Sequence, residues 1–221
     1  MKTIRILAVT GVLLSLFTSN AFAAQPHAGG NHTSTMYTYT QAYAKIKTPT
    51  YPATYYPSFS TAYTMLKGPS FFAQVGWIKE NEPEMNDTKY VWQYYDWSTM
   101  ANPQTQYGTY GPAQDSSHTY NTYRSGNTYF GYVDATLISS HAVEQNATGY
   151  EFFEEIENYN AAFAGTSSGH AVFSNLQVVE SGNVVFSPYL SWVTDPEATL
   201  YTGSYTADAS GSSFEIKDNR Y

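Results

Sequence analysis

The sequence predicts an all-β protein, an antiparallel sandwich of two sheets, and three observations carry that expectation. Eleven or more short runs rich in Tyr, Thr, Val and Phe follow one another, which is strand chemistry. Gly, Pro and Asn clusters punctuate them, and no stretch beyond the first residues repeats its apolar positions with a helical period. Strands with one apolar face must bury it, and a second sheet is the simplest cover; an up-and-down barrel is the alternative closure. No internal repeat is present.

Taken in order, residues 24–35 are rich in Gly, His, Asn and Ser and read as a flexible lead-in. Residues 36–46 alternate Tyr and Thr as a strand, and 47–57 carry Pro49, Pro52 and Pro57 and read as a connection. Strands follow at 59–67 and 71–79, with Gly68 and Pro69 between them. Residues 80–89 are polar around Pro83 and read as a loop. Residues 89–97 form the most aromatic strand, and 100–117 return to loop. The runs 118–124 and 128–133 flank Ser125-Gly126-Asn127, a hairpin signal. A turn at Asp134-Ala135 leads into 136–141, then comes the acidic run 149–157, a loop over 158–169, and strands at 171–179, 183–186, 199–206 and 212–217.

Residues 1–23 have the form of an export signal: Lys2 and Arg5, an apolar run over 6–18 that is short for a membrane span, and the small-x-small site Ala21-Phe22-Ala23. The remaining 198 of 221 residues suit one domain, 24–58 being lead-in and first strand and 59–221 the sandwich proper. Removing Lys2 and Arg5 takes the net charge from −8 to −10, which argues against nucleic acid or an anionic membrane surface as partner. The absence of Cys excludes a disulfide framework. The expected product is a secreted monomer. Its surface of Tyr, Thr, Ser and Asn has few ion pairs to lose when carboxylates protonate, so acid tolerance is expected too.

Chemistry concentrates in Gly149-Tyr-Glu-Phe-Phe-Glu-Glu-Ile-Glu157. On a strand Glu151, Phe153, Glu155 and Glu157 share one face and Phe152, Glu154 and Ile156 the other. Two carboxylates about 5 Å apart repel by roughly 3 kcal/mol at an effective dielectric near 20, so one of them should hold its proton to higher pH and be able to serve as acid or base. The plain alternative is an exposed acidic edge. A second run, Phe71-Phe-Ala-Gln-Val-Gly-Trp-Ile78, encloses one amide, Gln74. It could satisfy a backbone neighbour, or donate to a developing oxyanion without titrating. In the aromatic strand, alternation sets Trp92, Tyr94 and Asp96 on one face and Gln93, Tyr95 and Trp97 on the other, either as a stacking platform or as a core face and a lining face.

Other motifs carry less. Gly165-Thr-Ser-Ser-Gly169 fits G-x-S-x-G but lacks the following helix of a nucleophile elbow. The five His show neither helical spacing nor Cys partners, so no metal or other cofactor is expected. Asn31, Asn86 and Asn146 open glycosylation triplets.

Three stretches together resemble the eqolisins, the glutamic peptidases with a Gln/Glu dyad on a two-sheet, concanavalin-like β-sandwich. Phe72-Ala-Gln74-Val-Gly76 is similar to that family's apolar-x-Gln-x-Gly strand, Glu151-Phe-Phe-Glu-Glu155 to its Glu-aromatic-x-x-Glu strand, and Ala171-Val-Phe-Ser-Asn175 to the strand after it. Ala62-Tyr63 through Gly68 is similar to its Ala-Trp-Val-Gly-Ile-Asp-Gly, with Tyr63 in place of Trp and Lys67 in place of Asp. Ile78 replaces a further Asp, and a pro-segment has little room before Gln74.

The resemblance implies acid endopeptidase activity on polypeptides without metal or covalent intermediate. Glu155 would act as general base and Gln74 would hold the water and the oxyanion, with Tyr63, Trp92, Tyr94 and Glu151 along the substrate. The competing readings are a carbohydrate-binding module or glycosidase, which needs two facing carboxylates, and an inactive surface protein of the same fold. The peptidase requires Gln74 and Glu155 on one concave face with a water's width between them.

Overall fold

The computed structural model describes residues 27–50, 59–80, 88–156, 171–194, 200–202, 206–208 and 211–218. In chain order its strands are β1 (His27–Thr33), β2 (Tyr39–Lys47), β3 (Phe59–Lys67), β4 (Phe71–Glu80), β5 (Lys89–Asp96), β6 (Gln104–Tyr110), β7 (Ser117–Ser125) and β8 (Thr128–Val133). Then come β9 (Thr136–Ala142), β10 (Gly149–Ile156), β11 (Ala171–Glu180), β12 (Asn183–Phe186), β13 (Ser191–Thr194), β14 (Leu200–Thr202), β15 (Thr206–Asp208) and β16 (Gly211–Asp218). Every regular element among the described residues is a strand. None is a helix long and apolar enough to cross a membrane.

Two antiparallel sheets result, as the patterning predicts. One has seven strands in the order β13-β1-β10-β3-β4-β5-β6; the other runs β14-β16-β11-β2-β7-β8-β9, with β12 on β11 and β15 on β16. Strand alternation sorts the side chains. Ala62, Leu66, Phe71, Ala73, Val75, Trp77, Tyr150 and Phe152 point from the first sheet into the shared core, meeting Ala42, Ile46, Tyr120, Tyr129, Phe173 and Leu176 from the second. Polar contacts also cross this layer: Thr122 Oγ1 of β7 donates to the Thr64 carbonyl of β3 at 2.7 Å and lies 3.1 Å from Thr64 Oγ1. A second apolar cluster, Tyr63, Met65, Phe72, Ile78, Val91, Tyr95 and Phe153, lies on the opposite face of the seven-stranded sheet.

The structure corrects three readings. Residues 27–33 are not a loose lead-in but β1, paired with β10 from His27↔Glu155 to Thr33↔Gly149. Its glycines reflect crowding rather than flexibility: a Cβ on Gly29 would stand 2.1 Å from the Phe152 carbonyl oxygen. Residues 104–110, read as loop, are the edge strand β6, whose mostly exposed side chains leave no alternation to detect. The four-residue β13 escaped for want of length. The hairpin holds, with Ser125 opposite Thr128 and Gly126 at φ 57° in the turn. The export signal (1–23), Glu157, the Gly165–Gly169 motif, His170 and Asn86 lie outside the described residues.

Candidate active site

On its outer face the seven-stranded sheet carries a groove of about 460 Å³, and strand register arranges its side chains in rows. The first row runs His27, Glu155, Thr61, Ile78 across β1, β10, β3 and β4. The second runs Gly29, Phe153, Tyr63, Gly76, and the third Asn31, Glu151, Met65, Gln74, Gln93. Lys67, Phe72 and Tyr95 make the fourth. Successive rows are two residues apart along each strand, about 7 Å.

Glycines let the rings of the second row lie flat on the sheet. A Cβ on Gly76 would meet the Ala62 carbonyl oxygen at 2.1 Å and Tyr63 Cβ at 2.7 Å, so only glycine fits beside Tyr63. The Tyr63 and Phe153 rings stack at 6.4 Å between centroids, and His27 packs on Phe153 at 5.4 Å. These rings exclude water around the Glu155 carboxyl, which is 6% exposed.

Burial pushes Glu155 up to about 7, with the nearby Glu151 charge adding to the rise; the Tyr63 hydrogen bond and His27 pull against it without prevailing. The Tyr63 hydroxyl donates to Glu155 Oε1 at 2.5 Å. Burial, and then the two carboxylates, hold the Tyr63 phenol well above its ordinary 10. At the other end of the groove Lys67 Nζ forms an ion pair with Glu151 Oε1. Glu154 points to the opposite face and is buried.

Gln74 shares this face with Glu155 but stands two rows away, and the carboxylate on its own row is Glu151. Four residues along and two strands across place the Gln74 and Glu155 Cα atoms on the order of 16 Å apart. Tyr63 stands diagonally between them, so the water's-width spacing expected of a Gln74/Glu155 dyad is not found, and Gln74 is not among the residues that line the groove. Gln74 is 4% exposed. Its Nε2 donates to Gln93 Oε1 at 2.6 Å, and Gln93 Nε2 donates to Thr105 Oγ1 at 3.2 Å. This chain fixes the amide's orientation and leaves Gln74 Oε1 without a hydrogen-bond partner among the described residues.

Two of the expected substrate contacts stand elsewhere. Trp92 is 2% exposed and packs between the sheets, its ring against Gly131 of β8; Tyr94 is in the same layer, stacked on His141 at 4.1 Å. Strand parity is the reason: Gln93 and Tyr95, not Trp92 and Tyr94, share the face of Gln74. Tyr95 and Trp97 line the groove in their stead, as do Tyr63 and Glu151 from the expected set. His27 also lines it and was missed, because its stretch read as loop; once β1 is a strand, the register with β10 brings it beside Glu155. Among the described residues no three His, Asp or Glu side chains converge as a metal site requires.

No family model and no curated protein matches the sequence. Solved structures do resemble the fold. A scytalido-glutamic peptidase bound to a transition state analog inhibitor superposes with TM-score 0.61 at 11% identity, over 88% of this chain and 98% of that one. The same enzyme with a peptide-based transition state analog gives 0.59 at the same identity and coverage. SCP-B, described as a member of the eqolisin family of peptidases in a complex with the tripeptide Ala-Ile-His, gives 0.57, again at 11% identity over 88% and 98%. Over nearly its whole length, then, the chain has the two-sheet sandwich fold of the glutamic peptidases.

Proposed function

We propose that this chain is an exported endopeptidase that hydrolyses peptide bonds with Glu155 as general base, without the Gln74 amide at the attacking water. The observation that carries the reading is Glu155 itself: a buried carboxyl on the wall of an open groove, raised to about 7 and held by one hydroxyl. A carboxylate so placed takes a proton from an attacking water more readily than an ordinary one, and general-base assistance is worth about 10²–10⁴-fold. The groove's rings and its Lys67–Glu151 pair suit an extended chain with apolar and polar side chains.

The raised carboxyl changes the expected pH range. An acidic optimum presumes an ordinary carboxylate, whereas a base that ionises near 7 moves the rising limb of kcat/KM toward neutrality. The glycosidase alternative is less well supported. Glu151 and Glu155 project from one strand rather than facing each other across the groove, as a glycosidase's pair must, and Glu151 is engaged by Lys67.

The test is cleavage of denatured casein between pH 2 and 8 by the secreted protein, by Glu155→Gln and by Gln74→Ala. Loss of cleavage in Glu155→Gln supports the reading. A parent that cuts nothing across that range, or a Glu155→Gln variant as active as the parent, overturns it.

A further inference from the structure

Tyr63 hydrogen-bonds to one group among the described residues, the Glu155 carboxylate, and both side chains are buried at the wall of the groove. Gln74 is too far along the strands to share that carboxylate's immediate surroundings, and its amide is tied to Gln93 on the side away from β10. A phenol therefore donates to the general base, and His27 of β1 faces the same carboxylate from the neighbouring strand. An O–H donated to a carboxylate follows the negative charge when that charge moves. Once Glu155 accepts a proton it becomes a poor acceptor, and in the same step a charge of equal sign appears on the substrate oxygen.

We propose, on the peptidase reading above, that Tyr63 is a catalytic residue: its hydroxyl passes from the Glu155 carboxylate to the tetrahedral oxyanion as the charge passes between them. The water oxygen bonds to the carbonyl carbon, the carbonyl π pair goes to oxygen, and the water proton goes to Glu155. The oxyanion then collapses, the C–N bond breaks, and the Glu155 proton leaves on the amine nitrogen. Tyr63 stays protonated throughout, as its burial and its carboxylate neighbours require. Among the described residues, other charged or titratable groups on this face include His27 of β1, Glu151 of β10, Lys67 of β3, and Tyr95 and Lys89 of β5, the last lying over the Tyr107 and Tyr110 rings.

The experiment compares the parent, Glu155→Gln, Tyr63→Phe and Tyr63→Trp on a quenched peptide taken from a site cut in denatured casein, reading kcat, KM, the pH profile and the thermal midpoint. Phe keeps the ring stacked on Phe153 and removes only the hydroxyl. The expected result is a fall in kcat of about 10²–10³-fold with KM within about twofold. The acid limb should also move to higher pH, because Glu155 loses the donor that favours its charged form. Tyr63→Trp, which restores a ring N–H donor, should recover part of kcat, and it is the variant read if Tyr63→Phe does not fold. Parental kcat in Tyr63→Phe, or an effect confined to KM, overturns the proposal while Glu155→Gln still tests the base. An inactive parent, or an active Glu155→Gln, overturns the peptidase reading and this inference together.

Discussion

At the scale of single residues, Glu155 trades stability for function. Its folded value of about 7 lies above its ordinary 4.5, so between those pH values the native state binds more protons than the unfolded chain. Its contribution is fully present below about 4.5 and is lost as pH rises through 7, with a magnitude on the order of 3 kcal/mol. Glu155→Gln should therefore abolish cleavage and, at pH 7, raise the denaturant midpoint above the parent's. Equal midpoints for the two proteins at pH 7 would show that the carboxyl is not strained by burial. A neighbouring position makes a parity test. Trp92→Ala opens a cavity between the sheets and should cost about 3–5 kcal/mol. Trp97→Ala, at a side chain 45% exposed on the groove rim, should change stability by less than about 0.5 kcal/mol and raise KM. Chemical denaturation and kinetics on the two variants separate them.

Among elements, β1 and β4 show how backbone crowding builds the groove. Gly76 leaves the room that the β3 backbone and Tyr63 need, since any Cβ there meets the Ala62 carbonyl oxygen at 2.1 Å and Tyr63 Cβ at 2.7 Å. Gly76→Ala should destabilise by about 1–3 kcal/mol through overpacking and strand displacement, and should cut activity further than stability alone explains. Calorimetry alongside kcat measures both. The same crowding misled the reading of residues 24–35. Glycine in a sequence signals either freedom or close approach, and only the pairing of Gly29 with Phe153 decides which. By contrast, β3 at 59–67 and β8 at 128–133 were legible to the residue, because each is a β-branched and aromatic run bounded by turn residues, and β8 also alternates. The edge strand β6 was not, since exposure on both faces leaves nothing to alternate.

For the molecule as a whole, stability should peak at mildly acidic pH. From the alkaline side it gains as Glu155 protonates. From the acid side it is limited by Asp96 and Asp134. Burial works to raise both, but it is outweighed by hydrogen bonds from the Ser98 side chain and amide to Asp96, and from the Thr119 amide and His118 to Asp134. Groups held below their ordinary 3.8 stabilise above that value and cease to do so as pH falls further. The thermal midpoint is thus expected to be highest between about pH 4 and 6, and Glu155→Gln should flatten its decline toward neutrality; a parent midpoint rising steadily from pH 4 to 7 would contradict this. Salt should matter little for the Lys47–Asp115 pair, which is exposed on the Asp115 side and contributes little to stability.

What the sequence by itself determined is local. Tyr, Thr and Val alternation makes strands, period two assigns each side chain to one of two faces, and Glu151, Phe153 and Glu155 accordingly fall together, as do Tyr95 and Trp97. The tertiary structure decided which of those faces meets the other sheet and which lines the groove, and how far each strand slides against its neighbour. Those choices put Trp92 and Tyr94 inside, His27 beside Glu155, and Gln74 two rows along with Tyr63 between. The reason is that register rests on hydrogen bonds and packing between residues as far apart in the chain as His27 and Glu155, which no short window of sequence contains.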